Sequence, residues 1–301
     1  NGEVSNTFTL PNGTVTAGID FYDDTATLDY DYLPDRSFNE TGEESLRNIG
    51  LFAQARLDLS DALRLSYGAR ADFQDFTGTD GSEFDDEGLS GNVSVDYDVT
   101  PDTTLSAGYS RVWGGVLLAE NFIINPAWTY PEDGIDPARG RNVYLAARAD
   151  IGSLGLSGKV FRSEIEDARL PDYRLGSAVT RNVESEGFEI GVDYGWSNGS
   201  ARLAYASIDT EVDGRQADSD LGRYLTAPLG ERLTVEVIHT FADIGLTIGG
   251  DAEFVFEEDS YDPYSDAPGQ TLDSYTVVNV FTEYTPRQFS NVVFRGEINN
   301  L

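Results

Sequence analysis

Side chains able to do covalent or acid–base chemistry are scarce in this chain of 301 residues. It has one histidine, His239, and neither cysteine nor methionine. Disulfides, thiolate metal sites and cysteine nucleophiles are therefore excluded, and any Ser–His pair would have to be built on His239. Carboxylates are abundant, with 53 Asp and Glu against 20 Lys and Arg, a net charge of -33. Pairs such as Glu164 and Glu166, or Asp85 and Asp86, have the spacing of a general acid and base. In so acidic a chain such pairs arise by chance, and no nucleophile or metal cluster accompanies them. An enzyme is not expected. Asp80, Glu83, Asp85 and Asp86 could offer oxygen ligands to Ca²⁺, yet no loop carries the spaced D-x-[DN]-x-[DN]-G pattern. A solvated, self-repelling acidic surface is the simpler reading. No metal site and no cofactor are expected, and nucleic acid is excluded as a partner because phosphate contacts need clustered bases.

The elements that would position these residues are strands. Alternation of period two dominates the sequence. Leu65, Tyr67, Ala69, Ala71 and Phe73 alternate with Arg64, Ser66, Gly68, Arg70 and Asp72. Ile49, Leu51, Ala53, Ala55, Leu57 and Leu59 likewise alternate with Gly50, Phe52, Gln54, Arg56 and Asp58. A strand sorts such sets onto two faces, whereas a helix scatters them around its axis. About 14 strands are expected, near 4–10, 14–22, 47–59, 62–73, 88–99, 103–112, 141–151, 154–162, 181–195, 200–208, 229–240, 243–256, 274–285 and 289–299. No segment reads as a helix, and no apolar run reaches the ~18 residues of a membrane helix.

The connections alternate in length. Tight turns fall at Pro11-Asn12-Gly13, Ser60-Asp61, Thr100-Pro101-Asp102, Gly152-Ser153, Ser197-Asn198-Gly199, Ala242-Asp243 and Pro286-Arg287-Gln288. Long loops lie between them, near 23–46, 74–87, 113–140, 163–180, 209–228 and 257–273. A sandwich would mix these lengths between its ends. Strict alternation places every tight turn at one end and every long loop at the other, as in a transmembrane up-and-down antiparallel β-barrel. Tyr97, Tyr194, Phe241 and Tyr284 near the tight turns, and Phe73, Tyr109, Phe254 and Phe256 near the long loops, then form two interfacial girdles. The six long loops hold 33 of the acids and six of the bases, a net charge of -27, so the acidity belongs to the extracellular end. His239, beside Ala242-Asp243, belongs to the periplasmic rim.

Several stretches resemble the barrel domain of TonB-dependent outer-membrane receptors. Asn48–Phe73, NIGLFAQARLDLSDALRLSYGARADF, is similar to that family's "xxGLFAQ…LxLxxGxRxD" hairpin. Thr104–Phe122, TLSAGYSRVWGGVLLAENF, stands in the place of "YSxxFRAPxxxEL", and Asn182–Tyr194, NVESEGFEIGVDY, resembles "NxxxxxxxGxExxxxY". Pro137–Arg148 occupies the place of "LKPExxxxYExGxR". Tyr275–Tyr284 with Val293–Leu301, VFRGEINNL, resemble the penultimate "Y…D…Y" and "xxVxNLFD" strands. Each motif is weak alone; their order across nearly the whole chain is more specific. Departures are the replacement of FRAP by Val112-Trp113-Gly114-Gly115 and the stop inside "NLFD".

The resemblance implies a barrel of about 22 strands, of which residues 1–301 supply about 14, without the plug domain. An even count also fits a complete small barrel. It implies a monomer in outer-membrane lipid and lipopolysaccharide that works with the TonB system through the plug, importing a ferric siderophore or similar iron chelate. A haem, other metal-complex or oligosaccharide receptor of the same family, and a passive porin-like channel, are the alternatives. Ligand-binding candidates are the loop residues that supply charge-assisted hydrogen bonds and stacking area: Arg111, Trp113, Trp128, Tyr130, Tyr173, Arg174, Tyr224, Tyr261 and Tyr264.

Overall fold

The computed structural model describes residues 1–30, 40–118, 129–172, 177–217, 230–259, 271–289 and 291–301. Its elements are β1 (Gly2–Leu10), β2 (Gly13–Tyr30), β3 (Glu40–Ser60), β4 (Leu63–Thr77), β5 (Glu83–Thr100), β6 (Thr103–Gly115), β7 (Ala138–Ile151) and β8 (Leu154–Asp172). They continue with β9 (Ser177–Trp196), β10 (Gly199–Val212), β11 (Arg215–Gln216), β12 (Gly230–Phe241), β13 (Leu246–Val255), β14 (Tyr275–Tyr284) and β15 (Phe294–Ile298). All lie in one antiparallel sheet ordered by sequence from β1 to β15, with the short β11 pairing only β10. All fourteen expected strands are present, and β11 adds a fifteenth.

The expected girdle aromatics, Tyr97, Tyr194, Phe241, Tyr284, Phe73, Tyr109, Phe254 and Phe256, are all exposed on the outside of the sheet. So are Leu51, Leu105, Val143, Leu145, Val160 and Ile190, which lie between the two girdles. A wall that turns this much apolar surface outward needs a hydrocarbon solvent, since water would drive it to cluster. Near the tight turns the outward aromatics touch one another. Tyr194, Trp196, His239 and Phe241 form a contiguous row, and the Trp196 indole N–H donates to His239 Nδ1 at 2.9 Å.

At the loop end several strands run much further than the sequence pattern indicates. β2 pairs β3 up to Tyr30↔Glu40, and β8 pairs β9 up to Asp172↔Ser177. The connection expected over 74–87 shrinks to residues 78–82 between β4 and β5. The cause is an inversion of face polarity. Membrane-ward, the outward parity is apolar. Beyond the girdle it carries Asp23, Arg47 and Asp75, while the inward parity becomes apolar at Ala26, Leu46, Phe76 and Phe84. Backbone pairing continues through the switch because the ladder needs only register, and a ribbon that leaves the bilayer can present charge to water. At the turn end, β13 starts at Leu246 rather than 243. The amides of Ile244 and Gly245 both donate to the Phe241 carbonyl at 3.1 and 3.0 Å, closing a four-residue turn. β15 starts at Phe294, later than expected, after a turn in which the Phe289 amide donates to the Pro286 carbonyl at 2.9 Å.

Among the described residues, buried apolar side chains other than Ala55 therefore gather at the extracellular end rather than along the wall. Leu46, Phe76 and Val116 form one cluster with Tyr22, Phe84, Leu118, Tyr130 and Ile135 packed against it. Ala168, Val183, Val212 and Ala217 form a second, inside the protruding β8–β11 ribbon.

Candidate functional site

The mouth cluster is capped by a network from three distant segments. Glu44 on β3 is fully buried, and Arg169 on the β8–β9 ribbon is 6% exposed. The guanidinium grips the carboxylate with both terminal nitrogens, Nη1 reaching Oε2 at 2.8 Å and Nη2 reaching Oε1 at 2.5 Å. The Tyr130 hydroxyl also donates to Glu44 Oε1 in a very short bond. Arg169 Nη1 further donates to the Leu117 carbonyl at 2.9 Å, and the Thr79 amide donates to the Tyr130 hydroxyl at 3.2 Å. Along the wall β3 and β8 are five strand spacings apart, about 24 Å at ~4.8 Å each. Their side chains meet because the β8–β9 ladder bulges between Ile165 and Ala168, with Asp167 at φ 58°, which bends the ribbon.

Under the polar network lies aromatic surface. Tyr130 meets Phe76 edge-on at 5.9 Å between centroids, and Phe76 stacks on Phe84 at 6.2 Å. The Arg169 guanidinium lies 5.5 Å from the Phe76 ring centre and 5.8 Å from that of Tyr130, within cation–π range. Burial first, and the Glu44 carboxylate second, hold the Tyr130 phenol above its ordinary pKa. For Arg169 burial works against the charge, but the bonds and field of Glu44 outweigh it and keep the pKa above the usual arginine value.

Membrane-ward of this cap the inner wall forms a recess of ≈ 560 Å³ bordered by Asp20, Asn48, Arg70, Asp72, Ser90 and Trp113. Arg70 bridges Asp20 and Asp72 with bonds of 2.5–2.9 Å, and Asn48 Nδ2 donates to Asp72 Oδ1 at 2.9 Å. The Val116 amide donates to Gln74 Oε1 at 2.7 Å, joining cap and wall. Gly115 must be glycine there: its φ is +67°, and a Cβ would lie 2.5 Å from Gln74 Nε2. Asn48 Oδ1, Gln74 Nε2 and Trp113 Nε1 are buried without a hydrogen-bond partner. Buried polar atoms are nearly always satisfied; of these three, Asn48 and Trp113 border the recess.

Of the nine candidates from sequence, Arg111, Trp113 and Tyr130 are among the described residues. Trp128, Tyr173, Arg174, Tyr224, Tyr261 and Tyr264 lie outside them. Tyr130 sits in the cap and Trp113 lines the recess. Arg111 has the outward parity of Leu105 and Tyr109 and faces Arg141 across the ladder. Sequence reasoning missed Glu44, Arg169, Asn48, Arg70 and Gln74. The usable signal was Leu46, Phe76 and Phe84 continuing the lumen parity of β3, β4 and β5 past the girdle. Among the described residues no group of three or more His, Cys, Asp or Glu could hold a metal ion.

A lipid-facing antiparallel wall, with tight turns at one end and a packed cluster at the other, defines the wall of an outer-membrane β-barrel. A family model, "TonB dependent receptor-like, beta-barrel", matches residues 1–301. The chain belongs to that family, and barrels of the family lie in the outer membrane. The heme transporter BhuA of Brucella abortus (strain 2308) is 26% identical over 310 residues, covering 100% of this chain and 45% of BhuA. The FrpB iron transporter from Neisseria meningitidis (F5-1 variant) superposes with a TM-score of 0.82 at 16% identity, over 99% of this chain and 50% of FrpB. The ferripyoverdine receptor of the outer membrane of Pseudomonas aeruginosa gives 0.73 at 14% identity, over 99% and 43%. The chain thus spans about half the length of the relatives it matches.

Proposed function

We propose that this chain is part of the barrel of a receptor that binds an iron chelate at the cell surface and imports it by way of the TonB system, with a plug domain and further strands completing the assembly. The observation that carries this reading is the capped mouth: aromatic, arginine and carboxylate side chains packed over a recess bordered by Asn48, Arg70, Asp72 and Trp113. Stacking on Tyr130 and Trp113, and hydrogen bonds to the polar side chains that border the recess, suit a chelate with aromatic or amide surface. The loop candidates outside the described residues, Trp128, Tyr173, Arg174, Tyr224, Tyr261 and Tyr264, complete the ligand contacts in this reading. Packing buried side chains across the mouth between β3 and β8 runs against a passive porin, whose lumen stays open to solute. Haem is the second reading, favoured by the similarity to BhuA along the whole chain. Growth of a deletion strain on defined sole iron sources tests both: loss of growth on one ferric chelate supports the first, loss on haem alone supports the second, and unchanged growth on all of them refutes an iron receptor.

A further inference from the structure

The lumen face between β6 and β12 carries a trough of ≈ 570 Å³, the size of a small-molecule site. Leu105, Leu145, Val160, Ile190 and Leu203 turn their side chains to the lipid side, so the residues that alternate with them face the lumen. One cross-strand row runs Arg148↔Ser157↔Gly191↔Ala204. The next row toward the mouth runs Ala146↔Lys159↔Glu189↔Ala206↔Arg232. Small residues, Ala146, Ser157, Gly191, Ala204 and Ala206, make the floor. Arg148 and Arg202 border it toward the tight turns, Lys159 and Arg232 toward the mouth.

The chain's net charge is -33, yet among the described residues the border of this trough carries those four cations and one acid, Glu189. The recess under the cap has the opposite balance, with Glu3, Asp20 and Asp72 against Arg70 and Arg111. Arg148, Arg202 and Arg232 pair with Asp150, Asp193 and Glu253, which stand off the border, and Lys159 lies 4.0 Å from Glu189. In all four pairs both side chains are at least 37% exposed. Exposed pairs of this kind are weak, so an incoming anion can share or take over the same donors. A cationic border around a floor of small residues matches a small molecule with several carboxylates, because each cation adds a charge-assisted hydrogen bond.

We propose that this trough is a second binding site, for small polycarboxylate anions, where a carboxylate-bearing chelate rests on its way from the mouth toward the periplasm. Its place in import rests on the function proposed above; its preference for anions does not, and is tested without iron. The chain has no cysteine, so Ala204→Cys places a thiol on the floor of the trough, read against the unsubstituted protein. The full-length receptor in lipid nanodiscs is treated with methyl methanethiosulfonate, a small uncharged thiol reagent. Tricarballylate, a three-carboxylate anion that holds no iron here, should slow the reaction in a saturable way, and its uncharged trimethyl ester should not. Arg148→Gln or Arg202→Gln should each raise the half-protecting concentration about threefold, and the pair together roughly tenfold, the size exposed charge pairs support. Absence of protection, equal protection by the ester, or an unchanged half-protecting concentration in the double variant overturns the proposal. So does a thiol that never reacts, which would mean that protein fills the trough. Protection by tricarballylate in a protein that fails to support growth on any iron source would leave the anion site standing and remove only its link to iron.

Discussion

Replacing Arg169 with methionine should open the mouth. The change keeps most of the side-chain volume and removes only the charge and its donors. Glu44 is then left fully buried without the two-pronged grip that Arg169 had supplied, while the Tyr130 hydroxyl still donates to it. Both groups are almost completely removed from water, so solvent screening does not soften the loss, and breaking such a pair costs about 3–5 kcal/mol. That cost falls on the local opening of the cap rather than on the barrel, whose ladders do not depend on it. At about 1.4 kcal/mol per factor of ten, amide exchange at Thr79 and Val116 should speed up by at least about a hundredfold, while Ala147 in the wall is unchanged. Replacing both partners, Glu44→Leu with Arg169→Met, should bring exchange back to within about tenfold of the parent, because an apolar pair needs no compensation and one lost hydrogen bond is worth about 1 kcal/mol. Unchanged exchange in Arg169→Met, or a double variant as open as the single one, would refute the latch.

Other consequences are equally direct. Gly88→Ala drives a methyl into the Trp113 indole; it should cost about 1–3 kcal/mol, the range for overpacking, and shift the Trp113 emission, and an unaltered spectrum would contradict that contact. Leu145→Arg, on the lipid face, should destabilise folding into vesicles by about 2–4 kcal/mol, whereas Thr234→Arg, which faces the lumen opposite Glu253, should be near neutral; similar costs at both sites would mean that the faces are misassigned. Burial first, and then the carboxylates of Asp209, Glu231 and Asp259, raise the pKa of Glu258, against which a hydrogen bond from Gln216 works. Its folded form holds the proton more tightly than the unfolded chain does, so its contribution is favourable below the unfolded pKa and is lost as pH rises through the folded pKa. Glu258→Gln should therefore raise the melting temperature at pH 7 and leave it unchanged at pH 3.5, and a drop at pH 7 would show that the carboxylate is favourably held.

The wall was legible because two rules coincide there: period-two apolarity and alternating connection length. The mouth was not, because a search for one apolar parity ends at the girdle, where Phe73 is followed by Gln74 and Asp75. In the structure the strand simply continues with its faces exchanged, and Phe76, next on the lumen parity, becomes the centre of the cap. Tyr130 and Trp113, singled out by residue type as large aromatics near loops, lie in the cap and beside the recess. Glu44 and Arg169 were not, because one acid in 53 carries no mark of its partner 125 residues away. Only a ribbon bent by a bulge brings the two together, and nothing in the local sequence around Asp167 announces it.

The claim that this wall serves a receptor and not a channel is tested most directly by the uptake of radiolabelled iron chelate into cells carrying the full-length protein. A receptor predicts uptake that saturates at low chelate concentration and stops when a protonophore collapses the energy supply to TonB. Uptake that rises linearly with concentration and survives the protonophore would contradict the account.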